Sequence, residues 1–383
     1  MITSRNDVGS GSGSAHARLR ARGFTVVEAA VAVAIAAALL AVALPMLGSG
    51  LHRSGVVVSA NNLRTLSQGY AAYEASWNGR QHSLIRPEMG NYQSCSSYAA
   101  GNCPPSLVLG AGESGTLWGY WLGSSAPGCS SPVNGCSNWT MIMPIAIGGT
   151  SGFPSGESPS GSCLFPNARG VREYVTGRFF DPVYWSPNDI GAYGQVGASL
   201  LDSPLEFPGS EVSATGVDAT STYAYSGAAL WHPEVFRRPS LGGYRAPGPL
   251  TFAQAFTTPT AGVCAYPSLK TRMIERRWCQ NMTYLKNNAY ASDASNMFFN
   301  QGPMSQPGAL FFDGHVSFTE MSRYQSDDAS VLAQTGTDGL WSRDTPFGAQ
   351  GIYSGGSVWL GFRSSPNFLT TDGILGRDLL SAQ

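Results

Sequence analysis

Histidines, carboxylates and nucleophiles are the side chains that could perform catalysis, and in this chain they form no recognisable constellation. The motifs Gly-x-Ser-x-Gly, Gly-x-x-x-x-Gly-Lys and His-Glu-x-x-His do not occur. Carboxylate pairs such as Asp327 and Asp328 lie in polar stretches that favour solvation over catalysis. The histidines are scattered: His16, His52, His82, His232 and His315. The sequence therefore predicts that the protein is not an enzyme.

Seven cysteines could bind a metal or form disulfides. Their intervals do not fit CxxC, and no histidine lies at zinc-ligand spacing, so we expect no metal site. Three local pairs are candidate disulfides if the domain is exported to an oxidising compartment, and reduced, buried cysteines are the alternative. The pairs are Cys95 with Cys103, Cys129 with Cys136, and Cys264 with Cys279, which leaves Cys163 over.

Two further groups of side chains could bind a partner. The densest charge cluster runs from Lys270 to Cys279, and it could contact an anion or a neighbouring subunit. A solvated face, or a strand edge protected by charge, is the favoured interpretation. Four aromatic side chains could stack on a sugar, although core packing is their commoner role. They are Trp118, Tyr120, Trp121 and Trp139.

Composition restricts the partners and the fold. The formal net charge is -1 and 12% of the residues are charged, which argues against a nucleic-acid binder because phosphates require a basic surface. The chain contains 47 Gly and 24 Pro together with nine Trp and 16 Tyr. Many turns combined with many aromatics predict a turn-rich, mostly β domain rather than disorder.

A long apolar run lies near the N-terminus, and it is the element expected to position the rest of the chain. It extends from Phe24 to Leu47, and its first part, residues 24–44, would span roughly 32 Å as a helix, enough to cross a bilayer core. The preceding basic residues, Arg18, Arg20 and Arg22, predict a cytoplasmic N-terminus and an exported remainder. A cleaved secretory signal would have a shorter core, and it would not contain a carboxylate such as Glu28.

The stretch Arg22-Gly23-Phe24-Thr25-Val26-Val27-Glu28 resembles the cleavage motif of type IV pilins and type II secretion pseudopilins. The resemblance implies that a prepilin peptidase cuts between Gly23 and Phe24, and that the new amine of Phe24 is methylated. Glu28 becomes the fifth mature residue, which in the family pairs with the N-terminal amine of a neighbouring subunit. Pro45 becomes the twenty-second, where such helices carry a kinking proline. An ordinary single-pass anchor with a chance glutamate is the alternative.

Helical periodicity returns at residues 56–77, after Gly48-Ser49-Gly50 is expected to loosen the backbone. An apolar stripe at spacings of three and four predicts a face that lies against a β-sheet. Its members are Leu63, Leu66, Tyr70, Tyr73 and Trp77. Asn78-Gly79 is a helix-stop signal.

Asn61-Asn62-Leu63-Arg64 and a C-terminal Asp313-Gly314-His315-Val316 resemble a family of prepilin-like proteins whose C-terminal signature is H-X9-DG. Pro303 stands where that signature has its histidine, and residues 90–260 are not covered by the resemblance. Read from the residues alone, 309–318 predicts a hairpin with a tight primed turn at Asp313-Gly314. Asp313 and His315 as metal ligands are the less favoured alternative. Calcium, which some pseudopilins bind, is the one cofactor that the resemblance allows.

These observations predict an α+β, pilin-like fold in which a long N-terminal transmembrane α-helix packs on a mainly antiparallel β-sheet globular domain. The expected organisation is a leader (1–23), an N-terminal pilin helix (24–79, transmembrane over 24–47) and an exported β-rich globular domain (80–383). The resemblance implies a structural subunit, possessing no catalytic site, of a pseudopilus or type IV pilus-like fibre. It would be a single-pass protein of the inner membrane. Its partners would be a prepilin peptidase, other pilin-like subunits and an inner-membrane assembly platform. A membrane-anchored module that binds polysaccharide, and a hydrolase, are the alternatives.

Overall fold

The computed structural model describes residues 25–83, 91, 107–111, 117–120, 162–189, 221–248, 251–275, 306–345 and 368–382. For residues 42–52, for the strands of 107–120 and for residues 164, 169 and 321, the backbone alone is described. The chain divides into two compact units, Met1–Leu51 and His52–Gln383.

Helix α1, Val26–Ser76, is 51 residues long. Its backbone is continuous through Gly48-Ser49-Gly50, so the prediction of a loosened segment there is wrong. The predicted stop is confirmed, because Asn78 and Gly79 have positive φ values of 54° and 76°. The Gly79 N–H then donates to the Glu74 carbonyl at 2.7 Å, which closes the end of the helix.

The apolar stripe of α1 is confirmed over its first two turns. Leu63, Leu66 and Tyr70 are fully buried in the core of the larger unit, and Tyr73 packs against that core from its edge. Trp77 is 51% exposed, so its assignment to the buried face is wrong. Its indole N–H instead donates to the Tyr174 hydroxyl at 3.2 Å.

The larger unit contains a four-stranded antiparallel sheet of order β3-β4-β5-β6. Its strands are Tyr223–Tyr225, Thr271–Glu275, Gly308–Phe311 and Val316–Phe318. A separate antiparallel hairpin pairs β1, Leu107–Ala111, with β2, Leu117–Tyr120. All residues of the central strand β4 are buried, and the register of β4 against β5 shifts between Thr271 and Met273.

Short helices make up much of the remaining described structure. Helices α2 to α4 are Arg169–Arg172, Gly227–Leu230 and Met321–Thr335. Single 3-10 turns are Ser162–Leu164, Pro182–Tyr184, Pro233–Phe236, Pro239–Leu241, Ala253–Phe256, Ala261–Val263 and Gly373–Leu375. Three of these turns begin with proline, whose fixed φ suits a first helical position and whose missing N–H would interrupt a strand ladder.

The predicted fold class is wrong in both of its parts. The four-stranded sheet is made of strands of three to five residues, and helices and turns surround it, so the described domain is not mainly a β-sheet. The run Phe179–Trp185, for example, is buried as an irregular segment and a turn because Pro182 interrupts it. In the part of the chain that the structure describes, no helix is sufficiently long and apolar to cross a membrane. From Arg53 onward α1 carries polar and charged side chains.

Candidate functional site

The first turn of α1 positions Glu28, the residue predicted to act in assembly. The Thr25 backbone N–H donates to the Glu28 carboxylate at 2.8 Å, and the Thr25 hydroxyl donates to it at 2.9 Å. In return, the Glu28 backbone N–H donates to the Thr25 Oγ1 at 3.2 Å. This reciprocal arrangement is a capping box, and the sequence signal for it, Thr-x-x-Glu, is present at 25–28. This local role of Glu28 is not among the predictions made from the sequence.

The helical segment that follows exposes an apolar surface. Every residue from 25 to 41 is exposed, and Glu28 is the one charged residue among them. Val26, the most exposed large apolar side chain of the segment, is 86% exposed. The predicted processing residues Gly23 and Phe24 lie outside the described residues. Pro45 lies within α1, in the stretch for which the backbone alone is described.

The Asp313-Gly314-His315 signature lies in the turn between β5 and β6, so the hairpin prediction is confirmed. The turn type differs from the prediction. Gly314 alone has a positive φ, of 89°, whereas a primed turn would require one at Asp313 too. The Gly314 N–H donates to the Phe311 carbonyl at 3.0 Å, and the Phe311 N–H donates to the His315 carbonyl at 2.9 Å, as in a three-residue hairpin loop that ends in a glycine bulge.

The Asp313 and His315 side chains meet each other in this turn. Asp313 Oδ1 lies 2.6 Å from His315 Nδ1 and accepts the His315 backbone N–H at 3.1 Å. The imidazole stacks on the Phe311 ring with centroids 4.3 Å apart. Within the described residues, no three His, Cys, Asp or Glu side chains converge as a metal site would require. Pro303, at the position of the signature histidine, lies outside them.

The turn is placed against α1. A Cβ atom added to Gly314 would lie 3.5 Å from the Ser67 hydroxyl oxygen, so the backbone of the turn closely approaches the helix. The positive φ favours glycine at position 314, whereas the distance to Ser67 is an ordinary van der Waals contact. The two segments that resemble the H-X9-DG family, the helix and the hairpin, are therefore neighbours in the larger unit.

The described part of the charge cluster, residues 270–275, is buried, so its interpretation as a solvated face or a protected strand edge is wrong for these residues. Lys270, Arg272 and Glu275 are 0%, 6% and 2% exposed. They lie on or beside β4, the strand between β3 and β5. Burial of three ionised groups is costly unless each finds a partner. The partners are far away in the sequence, where no local pattern could reveal them.

Lys270 forms a fully buried ion pair with Asp378, near the C-terminus. The ammonium donates to Asp378 Oδ2 at 2.9 Å, and to the hydroxyl oxygens of Ser226 and Thr370 at 2.8 Å each. The three donors of the ammonium are thereby satisfied. The Thr271 N–H also donates to Asp378, at 2.9 Å. This pair ties the segment 368–382 to the sheet.

Arg272 connects β4 to α1 through an ion pair with Glu74. The guanidinium also lies over the ring of Tyr70, 5.3 Å from its centroid. Burial raises the pKa of Glu74, and the neighbouring guanidinium opposes that shift. The contact therefore holds the last turn of the helix, which contains Glu74, against the central strand.

Glu275 connects the same strand to an earlier turn of α1. Its carboxylate accepts the Ser59 hydroxyl and the Gly308 N–H, the latter at 2.6 Å. The Tyr223 hydroxyl lies 2.8 Å from Ser59 Oγ and extends the network to β3. Burial raises the pKa of Glu275, and the hydrogen bonds from Ser59 and Gly308 oppose that shift.

Asn62, in the segment that resembles the prepilin-like family, acts as a clamp. Its side-chain amide donates to the carbonyls of Pro182 and Trp185 at 3.1 and 3.2 Å. Its neighbour Asn61 is exposed and accepts a bond from Arg64 at 3.1 Å. One asparagine of the pair thus holds α1 to the turn Pro182–Tyr184, and the other remains on the surface.

Most of the cysteines of the candidate disulfides lie outside the described residues: Cys95, Cys103, Cys129, Cys136 and Cys279. Cys264 is half-buried and has no disulfide partner within them, and Cys163 is buried in the core. The side chains of Trp118, Tyr120, Trp121 and Trp139 also lie outside, so the sugar-stacking hypothesis stays a prediction.

Comparison of the chain with protein-family models, curated proteins and solved structures found no match.

Proposed function

We propose that the chain is a prepilin-like structural subunit, processed between Gly23 and Phe24 and assembled into a pseudopilus or type IV pilus-like fibre. The observation that carries the proposal is the exposed helical segment 26–41, which is apolar apart from Glu28. An apolar surface of this extent is favourable only if another surface covers it. Lipid and the equivalent helices of other subunits are the two coverings that suit a helix whose exposed side chains are apolar apart from one glutamate.

Glu28 gives the proposal its specificity. Burying its carboxylate together with the rest of the segment requires a cationic partner. The amine that processing would create on Phe24 is such a partner, and on a neighbouring subunit it could replace Thr25 as the ligand of the carboxylate. The capping box therefore supplies hydrogen bonds to the Glu28 carboxylate before assembly.

The expected partners follow from this assembly route. They are a prepilin peptidase, other pilin-like subunits and an inner-membrane assembly platform. The N-terminal segment would hold the chain at the inner membrane before assembly, with the larger unit on the outer side. The size of that unit, His52–Gln383, favours a minor subunit because it would crowd a tightly wound filament.

The experiment is the intact mass and the N-terminal peptide of the protein produced with a prepilin peptidase. We expect the wild-type chain to begin at methylated Phe24 and the Gly23→Ala variant to remain unprocessed. Gly13→Ala is the matched control, since it alters a glycine of the same N-terminal stretch away from the junction. A chain that still begins at Met1, or that is cut after the apolar run, would refute the proposal.

A further inference from the structure

Lys270 and Asp378 hold an amine and a carboxyl group in contact inside the larger unit. Both side chains are 0% exposed, and the Lys270 Nζ lies 2.9 Å from Asp378 Oδ2. The two residues are 108 positions apart in the sequence. Lys270 directly precedes the central strand β4, and Asp378 belongs to the C-terminal segment. An amine and a carboxyl group are the two reactants of an amide bond, and here the fold alone brings them together.

The burial of the pair favours its uncharged form. An ion pair that is removed from water loses the hydration of both charges, and transfer of one proton from the ammonium to the carboxylate removes that cost. Burial raises the pKa of Asp378, although the neighbouring ammonium and the hydrogen bonds from Thr370 and Thr271 oppose the shift. Proton transfer leaves a neutral amine, which is a nucleophile, beside a protonated carboxyl group, which is an electrophile.

Thr370 links the two groups by a second route. The Lys270 ammonium donates to the Thr370 hydroxyl oxygen at 2.8 Å, and that hydroxyl donates to Asp378 Oδ1 at 2.6 Å. A proton can therefore pass from the nitrogen to Oδ1 through the protein alone. A further N–H of the ammonium donates to Ser226 Oγ at 2.8 Å, which fixes the position of the nitrogen.

The other carboxyl oxygen is held by the backbone. Asp378 Oδ2 accepts the Thr271 N–H at 2.9 Å. A fixed backbone donor of this kind stabilises the negative charge that develops on an oxygen when a nucleophile adds to its carbon. The two oxygens of Asp378 thus have different surroundings, since Oδ1 can receive protons and Oδ2 is stabilised as an oxyanion.

Lysine is a rare choice in this chain. Lys270 and Lys286 are the two lysines among the 23 basic residues, and the others are arginine. Arginine is the residue that best suits a buried ion pair, because its guanidinium is weakly hydrated and binds a carboxylate through two parallel bonds. A guanidinium also stays protonated, so it cannot attack a carboxyl group. The chain therefore departs from its usual basic residue at a buried position where an amine can react.

We propose that Lys270 and Asp378 condense to an intramolecular isopeptide bond. The lone pair of Nζ forms a bond to Asp378 Cγ, and the bond from Cγ to Oδ1 breaks. Of the three hydrogens of the ammonium, one stays on the amide nitrogen and two leave with Oδ1 as one molecule of water, so no co-reactant is needed. Thr370 relays a proton to Oδ1, and Oδ2 becomes the amide oxygen.

Two properties of the site drive this condensation. The fold holds the reactants in contact, which replaces an encounter in solution by a step within one molecule. The product also exchanges two buried charges for one neutral amide that keeps the hydrogen bond from Thr271. The bond joins the C-terminal segment covalently to the start of β4, the strand that also contacts α1.

The test is mass spectrometry of the purified, folded full-length chain after reduction of any disulfides. We expect the intact mass to be lower, by one water molecule, than the mass of the sequence counted from its observed N-terminus. Trypsin does not cut after an acylated lysine, so the digest should contain residues 246–272 joined through Lys270 to residues 378–383. A chain of full mass that yields 246–270 and 378–383 as separate peptides would overturn the proposal. This measurement needs no variant, so it does not depend on how any substitution folds.

Variants then test the assignment of the atoms. Lys270→Arg keeps the charge and cannot form the amide, so it should have the full mass of its sequence. Lys286→Arg, the matched change at the other lysine, should lose water like the wild type, and a full mass for this variant would refute the assignment to Lys270. Thr370→Val should lower the joined fraction several-fold, and Thr370→Ser should restore it. None of these outcomes bears on processing at Gly23.

Discussion

His82 is a buried imidazole with no charged partner among the described residues. It is 8% exposed, and it meets the ring of Tyr73 edge-on with centroids 5.4 Å apart. A Cβ atom added to Gly170 would lie 3.3 Å from its Nε2, so the backbone of α2 is close to the ring. Burial disfavours the imidazolium and lowers the pKa of His82 from 6.5 to about 4.

The stability of the larger unit should therefore decrease on acidification because of this residue. Above pH 6.5 the imidazole is neutral in both the folded and the unfolded chain. Between pH 6.5 and about 4 the unfolded chain binds a proton that the folded chain excludes, so the free energy of unfolding falls. Relative to His82→Gln, we expect the wild type to lose about 3 kcal/mol between pH 7 and pH 4.

Chemical denaturation of both proteins across this pH range would measure the difference. Taking the difference matters, because burial raises the pKa of Glu74 and Glu275 and their contributions change with pH in the opposite direction. Those contributions are common to both proteins and cancel. Parallel pH profiles would show that His82 is protonated in the folded chain as readily as in the unfolded one.

The buried ion pairs of Lys270 and Arg272 are contacts that a single sequence does not predict. Lys270 and Arg272 belong to a dense charge cluster, and such clusters are usually solvated. Their burial depends on Asp378 and Glu74, which lie more than a hundred residues away in opposite directions along the chain. In contrast, the hydrogen bonds between Thr25 and Glu28 are local, and the capping-box spacing predicts them.

Among the elements, α1 is fastened to the rest of the larger unit by polar contacts as well as by its apolar stripe. Ser59 and Glu74 bond to opposite ends of β4, at Glu275 and Arg272, and Asn62 bonds to the turn that begins at Pro182. The consequence is that the rotation of the helix about its own axis is specified, because a slip would leave buried polar groups unpaired.

The two asparagines at 61 and 62 allow a matched test of this fastening. We expect Asn62→Ala to lower the free energy of unfolding by about 1–3 kcal/mol, because the carbonyls of Pro182 and Trp185 lose their donor. Asn61→Ala, one residue along, should stay within about 0.5 kcal/mol of the wild type because its side chain is exposed. Urea denaturation would measure both, and equal losses would mean that the amide of Asn62 is not a specific clamp.

Short sequence signals predict the elements whose geometry depends on adjacent residues alone. Asn78-Gly79 ends α1 because both residues adopt positive φ values, and the β5–β6 hairpin forms around Asp313-Gly314. The pairing of β3 with β4 joins residues about fifty positions apart, and the sequence of neither strand predicts it. The prediction of a mainly β domain failed because apolar runs that contain proline, such as Phe179–Trp185, are buried as turns.

At the scale of the whole molecule, the apolar residues are found in two settings, a buried core and an exposed helix. Among its described residues, the larger unit buries one hydrophobic cluster, which includes Tyr70, Trp185 and Trp231. The described part of Met1–Leu51 instead leaves its apolar residues exposed from 26 to 41. We expect this combination of a buried core and an exposed apolar helix of a subunit that folds before it assembles.

Glu28 is the residue at which assembly can be tested separately from processing and from helix formation. Glu28→Gln keeps the capping box, which accepts Glu or Gln at this position, but removes the charge that would pair with a neighbouring amine. We expect this variant to be cut after Gly23 like the wild type, while its content in sheared fibres falls on the order of tenfold, the factor that corresponds to one charge-assisted bond. Thr25→Ala is the complementary control, since it removes the cap and keeps the charge, and it should assemble. Quantitative immunoblotting of the membrane and fibre fractions would separate the cases. Normal assembly of Glu28→Gln would mean that the apolar surface of 26–41 is sufficient without charge pairing.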